Sequence, residues 1–397
     1  MTPNDCIHAA QVLGDHFVCT QSAYGRPDPR KTVFARRGPF TCGSLHSPPF
    51  IARALYRLYD FTGVQTYLGA ADRYVAFLLA VIRNSAGDSI DWYRDQFTED
   101  STPDVIREHR DLLARSWMYG LALDNYAEFR VRHPGETCFC SKAEAVYRWL
   151  DAYRWSGSKS PFRVGYAKSG FEDNGFSDDL CHVGRGLVQY YRQCEKSTVL
   201  QDAIDLADYF LGPITGASDT GVFNEDLGTW AVGPWPVVGF EHMENASADA
   251  VGWGFSARGV TDFLLRLHPF VDKGRQSAIK SRTTASLKWQ IEKCQFEDGA
   301  FGMFARDDKW LGMTAGALLT YSEMKDCGFF AADLPAGTAE AYERGRDWFL
   351  SHATRDFGLK KAGYEEVTGH SDASHRENAA WLLAWSIECL LQLSTNH

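Results

Sequence analysis

Apolar and polar positions alternate with a helical period over most of this chain, and the alternation breaks at regular places. Between Phe50 and Leu79, Ile51, Leu55, Leu58 and Tyr59 form one stripe. Thr62-Gly63-Val64 interrupts it, and Tyr67, Ala71, Tyr74, Val75 and Leu78 form a second. Two amphipathic stripes joined by a few turn-forming residues predict a helical hairpin. The pattern returns. First helices of such pairs are predicted near 48–62, 109–130, 177–194, 245–268, 310–325 and 374–394, and second helices near 65–83, 139–153, 197–211, 275–294 and 338–352. The first helices start every 61–68 residues, which is the mark of a repeat architecture. The sixth has no partner after it, and a helix near 4–20 is placed to fill that gap and close a ring.

The connections alternate too. Within pairs they are mostly short, as at Gly63-Val64 and Glu195-Lys196; between pairs they run near 84–108, 154–176, 212–244, 295–309 and 353–373. The long connections therefore all emerge at the N-terminal ends of the first helices, and long loops in a compact fold are usually functional. The expected fold class is all-α: an (α/α)6 toroid, a six-hairpin barrel spanning 1–397 as one domain. Small β elements are expected in the long loops, as in the stretch Gly221 to Val232. First helices form the inner ring. Gly184, Gly186, Gly252, Gly254, Gly312, Ala315 and Gly316 suit the crowding there.

Composition narrows the function. The 397 residues are 45% hydrophobic with a net charge of −10, which argues against a general nucleic-acid binder. No apolar run approaches the roughly 20 residues of a membrane span. The first residues, MTPNDCIHAAQVLGDHF, lack the basic and apolar regions of a secretory signal, and the 10 cysteines include no C-x-x-C. Free thiols and a cytoplasmic location are the expectation.

The stretch Gly170 to Tyr191 carries the most pointed chemistry. A glycine-punctuated acidic loop runs into a helix with Asp178 and Asp179 at its start and Ser177 as a candidate N-cap. The other helix starts and long loops add Arg107, His109, Arg110, Asp111 and Arg115; Tyr166, Glu172, Asp173, His182 and Arg185; Trp230, Trp235, Glu241, His242, Trp253 and Arg258; Glu297, Asp298 and Trp310; and Tyr364, Glu365, Glu366, His370 and Arg376. Carboxylates supply the acid and base of glycosidic cleavage, aromatic faces seat sugar C–H surfaces, and Arg and His pair with a sugar acid. Many of these residues are equally ordinary solvated loop charges. His370, Asp372 and His375 are ligand types at close spacing, but they match no metal motif, and no metal or cofactor is expected. Walker A, Rossmann and G-x-S-x-G patterns are absent.

Several segments resemble the unsaturated glucuronyl and galacturonyl hydrolases of glycoside hydrolase families 88 and 105. They are Ser177-Asp178-Asp179-Leu180, the Gly252-Trp253-Gly254 to Arg258-Gly259 run, Gln295-Phe296-Glu297-Asp298-Gly299 and His109-Arg110-Asp111-Leu112. The Trp-Arg-Gly elements are reordered relative to those families, and the glycine expected after Asp111 is missing. The resemblance implies a single-domain toroid, with Asp179 as general acid/base and Asp111 as its partner carboxylate. His182 joins them as a candidate catalytic residue. Tyr166, Trp235, His242, Trp253, Arg258, Glu366 and His370 are the candidate contacts to an oligosaccharide or polysaccharide.

The expected activity is hydrolysis of a uronic-acid-containing oligosaccharide. Like charges close together raise one pKa, as an acid working near neutrality needs. A polysaccharide lyase with a Tyr or His base (Tyr166, His182, His242, Tyr364 or His370) and a sugar epimerase are alternatives on the same fold. A terpene cyclase lacks its D-D-x-x-D pattern here, and a protein-binding toroid is the remaining, non-enzymatic reading.

Overall fold

The computed structural model describes residues 1–21, 47–82, 116–154, 160–163, 177–213, 221–231, 254–302, 309–329, 337–353 and 379–395. Among them are twelve α-helices in chain order: α1 Pro3–Cys19, α2 Ser47–Thr62, α3 Gln65–Val81, α4 Ser116–Arg132, α5 Cys140–Trp149, α6 Ser177–Cys194, α7 Ser197–Leu211, α8 Gly254–Leu267, α9 Lys273–Trp289, α10 Leu311–Asp326, α11 Thr338–His352 and α12 Ala379–Thr395. One antiparallel hairpin, β1 Phe223–Asn224 and β2 Thr229–Trp230, lies between α7 and α8. The expected β element within Gly221–Val232 is therefore present. The predicted helix residues 109–115, 245–253 and 374–378 lie outside the described residues.

Even-numbered helices form the inner ring. In order, α2, α4, α6, α8, α10 and α12 each pack on the next, and α12 packs back on α2. Each inner helix is backed by its hairpin partner: α3 behind α2, α5 behind α4, α7 behind α6, α9 behind α8 and α11 behind α10. The sixth partner is α1, which packs on α12 and joins the two ends of the chain. The fold is the (α/α)6 toroid.

Local chemistry explains the element ends. Thr2 caps α1: its hydroxyl accepts the Asp5 N–H at 3.2 Å while the Asp5 carboxylate accepts the Thr2 N–H at 3.0 Å, a reciprocal capping box. Asp272 caps α9 through the Arg275 N–H at 3.0 Å. The turn between α2 and α3 passes through Gly63 at φ 71°, a conformation open to glycine at no steric cost. Two predicted second helices end in tighter or wider turns. Leu150–Tyr153 is a 3-10 turn after α5, and Gln290–Cys294 is a π turn after α9.

Close helix approach is concentrated between α4 and α6. A Cβ on Gly120 would lie 2.2 Å from the His182 carbonyl oxygen, and one on Gly186 would lie 2.1 Å from the Gly120 carbonyl oxygen. The two backbones touch, which only glycine at both positions permits. Apolar side chains fill the space between inner and outer rings: Leu13, Phe17, Leu55, Tyr74, Leu206, Phe210 and Phe263 are each at most 2% exposed.

Candidate functional site

The inner helices run in one direction, so their first turns share one end of the toroid. At that end α6 starts with Ser177, which is fully buried, followed by Asp178 and the partly exposed Asp179. The Ser177 hydroxyl has a distant partner besides its place at the helix start. The helix begins at Ser177 itself, and the Ser177 hydroxyl donates to the Ala231 carbonyl at 2.7 Å, 54 residues away in the chain. The bond joins the start of α6 to the residue that follows β2.

One turn below Asp179, the His182 ring is buried (2% exposed) and meets Phe50 of α2 edge to face at 5.6 Å. Phe50 also meets Trp385 of α12 at 6.3 Å. The Arg185 guanidinium, a further turn down α6, lies 6.0 Å from the centre of the Phe50 ring. Since α2 and α6 are not neighbours in the ring, these contacts span its interior. Phe50, His182 and Trp385 therefore form an aromatic layer across the ring, below the level of Asp179.

Beneath that layer the ring is filled with charge. Arg53 of α2 reaches Asp262 of α8, on the opposite side of the ring, at 3.1 Å, and Glu388 of α12 at 3.2 Å. Arg185 pairs with Asp124 of α4 and lies 3.3 Å from Asp262. Arg266 joins Asp262 at 2.6 Å and Asp124 at 3.2 Å. Burial works to raise the Asp124 carboxyl, but Arg185, Arg266 and Arg53 outweigh it and hold it at about 2. Asp262 is likewise pushed up by burial and held well below the usual carboxylate range by Arg266, Arg53, Arg185 and Arg258. At the C-terminal end of the ring, a cleft of about 380 Å³ is lined by Arg53, Arg57, Asp60, Glu323, Asp326 and Glu388, among others.

Of the candidate residues named from the sequence, Asp179 and His182 are brought together at the first turns of α6. Arg258 is not with them. It is 2% exposed, and its two terminal nitrogens donate to the Glu323 carboxylate of α10 at 2.7 and 2.8 Å. That bidentate pair engages both terminal nitrogens of the guanidinium. Asp111, Tyr166, Trp235, His242, Trp253, Glu366 and His370 lie outside the described residues, as do Tyr364, Asp372 and His375. Among the described residues, no group of three or more His, Cys, Asp or Glu is placed to hold a metal ion, and no helix is long and apolar enough to cross a membrane.

Sequence reasoning missed the charge network altogether. A weak signal was there: Asp262 and Arg266, and Glu128 and Arg132, are opposite charges four apart on predicted inner helices. The sequence does not tell whether such a pair faces solvent or the ring.

No protein-family model matches the chain, and no curated protein does. Solved structures do. A possible member of the GH105 family from Salmonella enterica is 14% identical with a TM-score of 0.62, covering 100% of this chain and 95% of that one. A glycosyl hydrolase family 88 protein from Bacteroides vulgatus is 13% identical with a TM-score of 0.61, covering 98% and 99%. The third is the GH76A α-1,6-mannanase of Salegentibacter, as an inactive variant with two consecutive aspartates replaced by asparagine, in complex with α-1,6-mannotriose. It is 9% identical with a TM-score of 0.63, covering 97% and 99%. At these identities the likeness is one of fold: this chain has the (α/α)6 toroid found in those glycoside hydrolase structures.

Proposed function

We propose that this chain is a glycoside hydrolase acting on an oligosaccharide at the end of the toroid where the inner helices begin. The observation that carries the reading is the first turn of α6. Adjacent aspartates stand there, Asp179 is partly exposed, and the aromatic layer of Phe50, His182 and Trp385 lies one turn below. Asp179 is the general acid in this reading, and a second carboxylate close by favours keeping one proton on the acid. Asp111 is its partner carboxylate. Tyr166, Trp235, His242, Glu366 and His370, from the long connections, and Trp253, just before α8, are the substrate contacts, and His182 supports the acid from below.

The leading substrate is an oligosaccharide ending in an unsaturated uronic acid, in keeping with the resemblance to families 88 and 105. One observation favours a second substrate class within the same reaction, a neutral oligosaccharide. The inner-ring guanidiniums of Arg53, Arg185, Arg258 and Arg266 are each paired with carboxylates of this chain, which makes them poorer partners for a sugar acid. The mannanase above, inactive when two consecutive aspartates are replaced, supports the use of such a pair.

The test is incubation of the purified protein with unsaturated uronyl disaccharides, followed by absorbance near 235 nm, and with α-1,6-mannotriose, followed by chromatography. A falling absorbance or release of mannose supports hydrolysis. A rising absorbance on a saturated uronate polymer would identify a lyase instead, and isomerised product without cleavage an epimerase.

A further inference from the structure

The bond between Ser177 and Ala231 holds the end of α6 from which the proposed acid projects. The first four N–H groups of a helix have no partner within it, so a first turn is where a helix frays. At α6 that turn carries Asp179. Ser177 is fully buried, and its hydroxyl donates to the Ala231 carbonyl at 2.7 Å.

The acceptor belongs to a rigid frame. The Ala231 N–H donates to the Val222 carbonyl at 3.0 Å, closing the β1–β2 hairpin at its open end. The hairpin is fastened to α7 by the Trp230 indole N–H on the Phe210 carbonyl at 2.8 Å, and to Gly212, just past that helix, by the Phe223 N–H on its carbonyl at 3.0 Å. It is fastened to α9 by the Thr229 and Ser286 hydroxyls, 3.0 Å apart. One hydroxyl thus ties the start of an inner helix to a hairpin braced on two outer helices.

We infer that Ser177 is a positioning residue for Asp179: its bond to Ala231 holds the first turn of α6 so that the carboxyl two residues on keeps its place against the scissile bond. The inference rests on the hydrolase reading of Asp179. A carboxyl displaced by about 1 Å loses on the order of a hundredfold in rate, while contacts made by other segments still bind the substrate. Removing the hydroxyl should therefore lower kcat and spare KM.

The experiment compares Ser177→Ala, Asp179→Asn and Thr283→Ala with wild type. Thr283→Ala removes a buried hydroxyl that bonds the Ile279 carbonyl within α9, away from α6. Turnover of an unsaturated uronyl disaccharide and of α-1,6-mannotriose is measured, together with hydrogen exchange of the amides in the first turn of α6. Ser177→Ala is expected to lower kcat at least tenfold with KM within about twofold, a partial form of the loss a misplaced catalytic group causes. It should also speed exchange in that turn, and Thr283→Ala should do neither. A Ser177→Ala protein with wild-type kcat or wild-type exchange overturns the inference, as does an equal loss in Thr283→Ala. If Asp179→Asn stays active, the hydrolase reading of Asp179 fails, and the exchange data still judge the tether.

Discussion

Asp179 and Arg258 are both charged residues near the start of an inner helix, yet their surroundings assign them different work. Asp179 is partly exposed at the first turn of α6, whereas Arg258 is buried and held by Glu323. Replacing Asp179 by Asn should cut turnover by about a hundredfold or more, the scale of a general acid, with the fold intact by circular dichroism. Asp178→Asn should cost less, and steady-state kinetics on both variants would order the pair. Arg258→Gln should behave as a stability variant: a lowered urea midpoint with kcat/KM within a few-fold of wild type. A large loss of kcat/KM at an unchanged midpoint would return Arg258 to the substrate site.

At the scale of elements, the contact between α4 and α6 is the tightest constraint on the site. Gly120 meets the backbone at His182, and Gly186 meets the backbone at Gly120. A methyl group there would press on backbone, which cannot rotate away as a side chain can. Gly120→Ala is expected to destabilise the protein by about 3 kcal/mol, the upper end for an overpacked site, read from chemical denaturation. Because the displaced segment is the turn bearing His182, the same variant should lose activity even where it remains folded. An alanine tolerated at both positions would show that α4 and α6 can move apart freely.

Across the whole molecule, the ring is held by charge where a barrel of this kind could have used apolar packing. Burying ions costs more than their attraction returns unless every charge is partnered. Here Arg53, Asp124, Arg185, Asp262 and Arg266 partner one another across four of the six inner helices. Removing one member strands its partners, so Asp124→Asn should cost about 3–5 kcal/mol in unfolding free energy. The pH dependence follows from the depressed carboxyls. Asp124 sits at about 2 in the folded chain against an ordinary value of 3.8. Its contribution, about 2 kcal/mol, is present above the ordinary value and is lost as the pH falls from there toward 2. Wild type should lose stability steeply over that window and Asp124→Asn less so, as thermal melts between pH 5 and pH 2 would show. Equal acid slopes would mean that Asp124 titrates normally.

Most of the fold could be read from residue order alone, because a helical hairpin announces itself within about thirty residues through its apolar stripe and its turn. The period of the hairpins, the unpaired sixth helix and the role of α1 as its partner all followed from such local signals. The acidic start of α6 was legible for the same reason. What only the tertiary structure decided are the partnerships across the ring. Arg53 and Asp262 are 209 residues apart, and nothing local to either names the other. So too with Arg258, whose carboxylate partner Glu323 lies on another inner helix, and with Ser177, whose hydroxyl at the start of its own helix also reaches Ala231. Local sequence sets periodicity and turn chemistry; the choice among distant partners is made by closing the ring, which brings side chains from opposite helices into one buried, low-dielectric space where every charge must be matched.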